Sequence, residues 1–448
     1  MPRQRLRDVV NPALQRAIRR AGVPYARLAV VVNRVGAENG LRLYYDASSV
    51  AHWLAGTVPR PEVIPVLVEA FTRLLDRPAE AGDLGLPAPA GDDGAPGGPW
   101  TGDPVVWLER LGRDDMLDRR TMLTGGLYSL TALTLPEPLT SAVHHGEPRR
   151  AGACDVRRVR EMTERFAVAD DLYGGGHART AVAAYLTQEV TPLLYGSSGS
   201  ARPALFRAAA RLAYLAGYMA YDASHTGLAQ RYYIQAVRLA AEAGDPVTRA
   251  TALHGLAAQA CELGHTAQAV DLAEAAEAAL PATAPARTRA WMAAMRAEAY
   301  AANGDRASAL DTLRSAEVAL DRADSVPKHE WTGAYDRAGL EHQTGKVLAY
   351  LADLPAAARH MADSAAARRD GQRRTQVLVE ARLARVHLRR RRPDEAAATV
   401  LTLADDLPLL ASGRVSAELA ALRAGWIAYR SDAVVDRADR LIASLTTR

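Results

Sequence analysis

Three stretches of the chain superpose on one another without a gap: "GYMAYDASHTGLAQRYYIQA" from Gly217, "AAQACELGHTAQAVDLAEAA" from Ala257 and "AEAYAANGDRASALDTLRSA" from Ala297. Each opens on a small residue, breaks at a turn in its middle, and then places alanines at fixed points of a second helix. Those alanines are Ala229 and Ala236, Ala269 and Ala276, and Ala309 and Ala316. Small side chains so spaced let two antiparallel helices approach closely. A hairpin of this kind cannot bury its apolar face alone, so it needs a stacked neighbour. Looser copies fit around Ala181, Ala358 and Ala397, and a last helix pair is expected from Val415 to Leu445. Apolar residues recur at helical spacing and almost nothing alternates as a strand would. The expected fold is therefore all-α, with residues 155–448 forming an α-solenoid of helix pairs.

The rest of the chain divides by composition. "LPAPAGDDGAPGGPWTGDP" (Leu86 to Pro104) is Gly, Pro and acid without periodic apolar positions, so residues 87–104 are expected as a flexible linker. Residues 1–86 form a compact N-terminal module and residues 105–154 a connecting helical segment. Within the latter, "DDMLDRRTMLTGGLYSLTALTLP" reads as a hinge helix. Cys154 and Cys261 are the two cysteines, with no Cys-x-x-Cys spacing, which argues against a disulfide scaffold or structural zinc. No signal-like core opens the sequence, and no apolar run reaches the roughly 18 residues that a membrane helix needs. A cytoplasmic protein without membrane association follows.

Enzyme chemistry finds no foothold. His-Glu-x-x-His and Gly-x-Ser-x-Gly are absent, and "YGGGHART" (Tyr173 to Thr180) lacks the Lys-Ser/Thr ending of a phosphate-binding loop. Neither catalytic residues nor cofactors nor metal ligands are expected. Charge is more informative. Met1 to Arg60 holds ten arginines and three acids, a surplus of seven, on a chain whose total is only +4. A basic module on a nearly neutral body is the footprint of a protein that meets phosphates.

Within that module, Asn11 and Pro12 start a helix that Gly22 stops. "PYARLAVVVNRVG" (Pro24 to Gly36) is a second helix and "ASSVAHWLAG" (Ala47 to Gly56), capped by Asp46, a third. A fourth begins at "RPEVIPVL". "PYARLA" followed by "SSVAHWLAGTVPRP" resembles the XRE, or lambda-repressor-type, helix-turn-helix family, over roughly Asn11 to Leu75. The resemblance implies a DNA-binding domain whose recognition helix is anchored by Val50 and closed by Gly56. It places Ala47, Ser48 and His52 at base edges in the major groove of double-stranded DNA, with Ser49 adjacent. Tyr25, Arg27, Arg42 and Arg60 are the expected phosphate contacts. The sequence departs from the family at "GAENGLRLYYD" (Gly36 to Asp46), where a turn of a few residues is usual. That insertion forms either a small wing carrying Arg42, Tyr44 and Tyr45 or a distortion of the motif.

The body resembles the tetratricopeptide repeat, with the difference that successive copies lie 39 to 49 residues apart. Helix-turn-helix and repeats together resemble peptide-sensing bacterial transcriptional regulators, which implies a homodimer and a groove for a peptide or small-molecule effector. The groove face should carry Arg211, Tyr214, Tyr218 and Tyr221, then His254, then Trp291 and Glu298, and lastly His342 or Gln343. Two roles remain open for the tyrosines, lining a groove or filling a tightly wound interior. The alternative function is a repeat scaffold that recruits a protein partner and uses its N-terminal module as a docking surface.

Overall fold

A computed structural model describes residues 10–87, 99–116, 127–136, 151–323, 335–368 and 371–446. Among the described residues the protein is all-α and has no strand, and no helix is long and apolar enough to cross a membrane.

The N-terminal module contains α1 (Pro12–Ala21), α2 (Tyr25–Glu38), α3 (Ala47–Leu54) and α4 (Ile64–Leu75). Its signals act as the sequence implies. Asn11 Oδ1 accepts from the Leu14 amide at 3.0 Å, and Gly22 ends α1 in the left-handed conformation at φ 64°. One core gathers Leu14, Leu28, Val32, Val50, Trp53, Leu67 and Phe71. Gly36 does not end α2, which runs on to Glu38. Its missing side chain instead admits Leu43, whose Cδ1 would lie 2.5 Å from any Cβ at that position. The inserted loop forms no strand. It folds back along α2, fixed by Asn33, which accepts from the Tyr45 amide at 2.9 Å and donates to the Tyr45 carbonyl at 2.8 Å.

The body begins earlier than residue 155. α5 (Pro104–Met116) packs on the helices Gly175–Tyr185 and Thr226–Glu242, and its Asp115 pairs with Arg179. Of the expected linker, 88–98 lie outside the described residues, while 99–104 are anchored rather than loose. Gln235 Nε2 donates to the Pro99 carbonyl at 2.9 Å, Arg238 donates to the same carbonyl at 3.2 Å, and Asp103 is buried. The expected hinge helix is also corrected. Its described N-terminal part is helical to Met116, residues 117–126 lie outside the described residues, and 127–136 form a strap with one 3-10 turn at Thr131–Leu133.

Then come α6 (Ala153–Tyr173), α7 (Gly175–Tyr185) and α8 (Thr191–Tyr195), with a π turn at Leu186–Val190 between the last two. Antiparallel pairs follow: α9 (Ala201–Asp222) with α10 (Thr226–Glu242), α11 (Pro246–Glu262) with α12 (Thr266–Ala278), and α13 (Ala286–Ala302) with α14 (Arg306–Asp321). The remaining pairs are α15 (Arg337–Tyr350) with α16 (Leu354–Ala366), α17 (Arg373–Arg389) with α18 (Pro393–Thr402), and α19 (Gly413–Gly425) with α20 (Ala433–Thr446). The six repeat alanines named above are all buried, at 0–1 % exposure, where the helices of a pair meet.

The turn inside a pair places one residue in the left-handed region: Ser224, Gly264, Gly304, Ala352 and Arg391 in five successive pairs. A side chain there costs about 1–2 kcal/mol. Glycine at the exposed position 352 should therefore stabilise the protein by about 0.5–1 kcal/mol after its own entropic cost. Urea unfolding of Ala352→Gly checks this, and a midpoint below wild type would refute it.

The row of pairs curls back on itself. α17 packs on α6, and α19 touches α9. Arg374 is buried against Asp170 at 3.1 Å and Asp171 at 2.9 Å, and Ser412 donates to Asp222 at 2.9 Å.

Candidate functional site

Asp46 organises the start of α3. Its carboxylate accepts from the Ser49 amide at 2.9 Å, from Ser48 Oγ at 2.7 Å and from Ser49 Oγ at 3.0 Å. The Ser48 hydroxyl above all, then the Ser49 amide and hydroxyl, hold the Asp46 carboxyl down to about 2. Val50, Trp53 and Leu54 face the core, and the Tyr45 ring meets Trp53 edge-on at 4.9 Å. Ala47, Ser48 and His52 are left exposed and Ser49 half-buried. Both serine hydroxyls are thus engaged by the cap, so neither reaches outward without releasing Asp46. Tyr25, Arg27, Arg42 and Arg60 are all exposed as well. Arg60 lies beside Tyr45, which raises its pKa, and pairs with Glu62 at 3.4 Å.

The residues expected in the effector groove are mostly taken up by the protein itself. Tyr214 stacks with Tyr218 at 6.4 Å and tilts against Tyr233 at 5.4 Å. Arg374 covers the Tyr218 ring at 4.9 Å and donates to its hydroxyl at 2.8 Å, while Arg414 covers Tyr221 at 4.5 Å. The returning helices α17 and α19 therefore cover the place where a groove would open, with Tyr214 buried and Tyr218 partly buried beneath them. His254 lies against Trp291 at 4.0 Å, and burial lowers its pKa to about 3, which keeps it neutral. Glu298 is wholly buried and pairs with Lys346 and Gln343, and His342 receives Arg382 at 3.2 Å. Arg211 is half-buried on α9.

A cavity of about 520 Å³ remains at the end of this face, and Tyr221 borders it. Most of its wall escaped the sequence reading. Arg382, Arg385 and Arg389 come from α17, Lys346 from α15 and Arg414 from α19. Glu262 sits among them, 2.5 Å from both Arg382 and Arg414 and 3.8 Å from Lys346. Burial opposes its charge, but Arg414, Arg382 and Lys346 together outweigh that and hold its pKa well below the usual carboxylate range. Two signals were available in the sequence. Lys346 is one of only two lysines, and residues 382, 385 and 389 share a helix face.

The N-terminal module closes the cavity from one side with Ala37, Glu38 and Gly40. Glu38 is also the centre of the contact between module and body. It pairs with Arg73 at 2.7 Å, with Arg34 at 3.2 Å and with His265 of α12's cap at 3.4 Å, and its carbonyl accepts from Thr226. The strap threads this contact. The Tyr128 ring is fully buried and stacks on His265 at 5.5 Å. Asn39 accepts from the Tyr128 amide at 2.8 Å, and Glu69 accepts from the Leu130 amide at 3.1 Å. From the body, Gln230 grips both sides of the Ser129 backbone, at 2.8 and 2.7 Å.

Residues 14–87, which cover the module from inside α1 to the last described residue before the gap, match the family model described as the SP15 N-terminal domain. No curated protein matches the chain.

Proposed function

We propose that the protein is a DNA-binding transcriptional regulator that acts as a homodimer, with a helix-turn-helix N-terminal module and a tetratricopeptide-like body that senses an effector. One observation carries the reading. Ala47 and Ser48 at the start of α3 and His52 in its last turn are exposed together with Arg42 and Arg60, on the segment where the charge surplus of seven is concentrated. The small polar residues would meet base edges and the arginines phosphates, so sequence preference would be modest and affinity strongly salt-dependent.

Replacing Ser48, Ser49 and His52 together by Ala should relax sequence preference, read by genome-wide mapping of bound fragments beside wild type. Arg42→Ala or Arg60→Ala should instead weaken binding to every duplex and reduce the salt slope by about one each. If no promoter fragment is retained at low salt in a mobility-shift assay, the reading fails.

A second reading, a scaffold whose module docks a protein partner, draws on the same domain. Tyr44 is 86 % exposed, with Val58 at 60 % and Val30 at 55 %, and the cap already occupies the serine hydroxyls. Stoichiometric co-purification of a protein that persists after nuclease treatment would favour it.

A further inference from the structure

The cavity between α2 of the module and helices α15, α17 and α19 holds more positive charge than its own carboxylates neutralise. Five cations border it, Lys346, Arg382, Arg385, Arg389 and Arg414. Three carboxylates face them: Glu38, Glu262 and Glu418. Each carboxylate is already shared. Glu262 serves Arg382, Arg414 and Lys346. Glu418 serves Arg382 at 3.3 Å and Arg385 at 2.6 Å, and Glu38 is turned to Arg73 and His265. Among the described residues Arg389 meets no carboxylate, and one of its nitrogens donates to the Ala349 carbonyl at 3.1 Å.

With Lys346 also held by the buried Glu298, and Glu38 engaged by Arg73 and Arg34, the five cations share three carboxylates, which leaves two positive charges at the partly open side of the recess. Arg385 and Arg389 lie one turn apart on α17 and are exposed towards solvent, so both guanidinium forks can turn onto one anionic group in the bidentate manner that suits carboxylate or phosphate. At about 520 Å³ the space accepts more than a bare anion and falls in the range of small-molecule sites. The Tyr350 ring, 43 % exposed, offers an aromatic surface for the uncharged part of a ligand.

We infer that this cavity binds a small organic dianion, a compact phosphate or dicarboxylate head on an aromatic or apolar body, with Arg385 and Arg389 as the groups that take the head. The inference deepens the effector-sensing reading and rests on it only for what the site is used for. Because Glu38 belongs both to the cavity wall and to the contact between module and body, a second negative charge beside it bears on how the module is held.

The test is isothermal titration of the purified full-length protein, without DNA, using phenyl phosphate, phthalate and the neutral benzamide at matched ionic strength. Saturable binding of one equivalent of phenyl phosphate or phthalate, with a dissociation constant below about 1 mM, and none of benzamide, is expected. Phenyl phosphate alone would assign a phosphate head, phthalate alone a dicarboxylate head, and both a head defined by charge only. Arg385→Ala combined with Arg389→Ala, two exposed positions whose loss leaves the core intact, should weaken binding at least tenfold. Arg16→Ala with Arg20→Ala, on a separate basic recess of the module bordered also by Arg77, should leave binding unchanged. Absence of saturable binding by either dianion, or equal weakening by both variant pairs, would overturn the assignment. Since no DNA is present, a failed mobility-shift assay would leave a positive titration standing, and the reverse also holds.

Discussion

Arg374→Ala is expected to destabilise the protein by about 3–5 kcal/mol, the cost of leaving a buried charge without its partner. Arg374 is 3 % exposed and holds Asp170, Asp171 and the Tyr218 hydroxyl at once. It is the main polar tie by which α17 reaches back to α6 across some two hundred residues of sequence. Burial already pushes the Asp170 carboxyl up to about 7, against the pull of Arg374, with Asp222 and Asp171 pushing the same way. Without the arginine that carboxyl rises further and can escape its predicament only by taking a proton. A folded pKa above the ordinary value stabilises the protein at low pH and loses that contribution as pH rises. The variant should therefore be worse at pH 8 than at pH 5, as read from urea unfolding at both. Asp170→Asn with Arg374→Met should recover most of the loss, because the uncompensated charge is then gone. A cost below about 1 kcal/mol for the single variant would show that apolar packing alone holds the curl closed.

The second large effect is expected at Glu38. Arg73 and Glu38 are both nearly buried, at 10 % and 7 % of their side chains. Burial works against the Glu38 carboxylate, and the bonds from His265 and Arg73 more than compensate, so its pKa lies below the usual value. In Glu38→Ala, Arg73 keeps Glu69 at 2.8 Å and the Tyr128 carbonyl at 3.5 Å, and His265 loses its carboxylate. The loss, about 3 kcal/mol, falls on the contact between module and body and not on either core. Scanning calorimetry should then resolve two transitions in place of one, the module melting separately. Glu38→Gln, which keeps the shape and a hydrogen bond, should fall between. A single unshifted transition in Glu38→Ala would mean that the strap alone holds the module.

Local signals were legible and long-range ones were not. The Asn11 cap, the left-handed Gly22 and the Asp46 cap each depend on three or four neighbouring residues, so the sequence states them openly. The repeat alanines could be read for a similar reason, because close helix approach demands small residues at fixed intervals. Gly36 misled because a glycine can be present for a neighbour's sake, here Leu43, as well as to end a helix. The strap reads as a helix in sequence because its apolar residues, Leu127, Leu130 and Leu133 among them, recur at helical spacing. Its backbone is instead claimed by Asn39, Glu69 and Gln230, none of them near it in sequence. The cavity stayed hidden for a compositional reason. With 55 basic residues, nearly all arginine, the shared helix face of Arg382, Arg385 and Arg389 does not stand out from the arginines that only dress a surface. The curl adds to this, since Arg374 closes over an expected open groove at Tyr214 and Tyr218.

The strap also sets an order of events during synthesis. The module's core is complete once residue 87 has left the ribosome, but its seat requires Gln230 and His265, which follow roughly 180 residues later. At ordinary elongation rates of about 5–20 residues per second that is an interval of roughly ten to forty seconds. Through that interval the newborn module carries Glu38, Arg73 and Asn39 open to solvent, free of the body that will later hold it. Each newly made chain thus spends its first moments with an N-terminal domain that has folded but is not yet seated on the body.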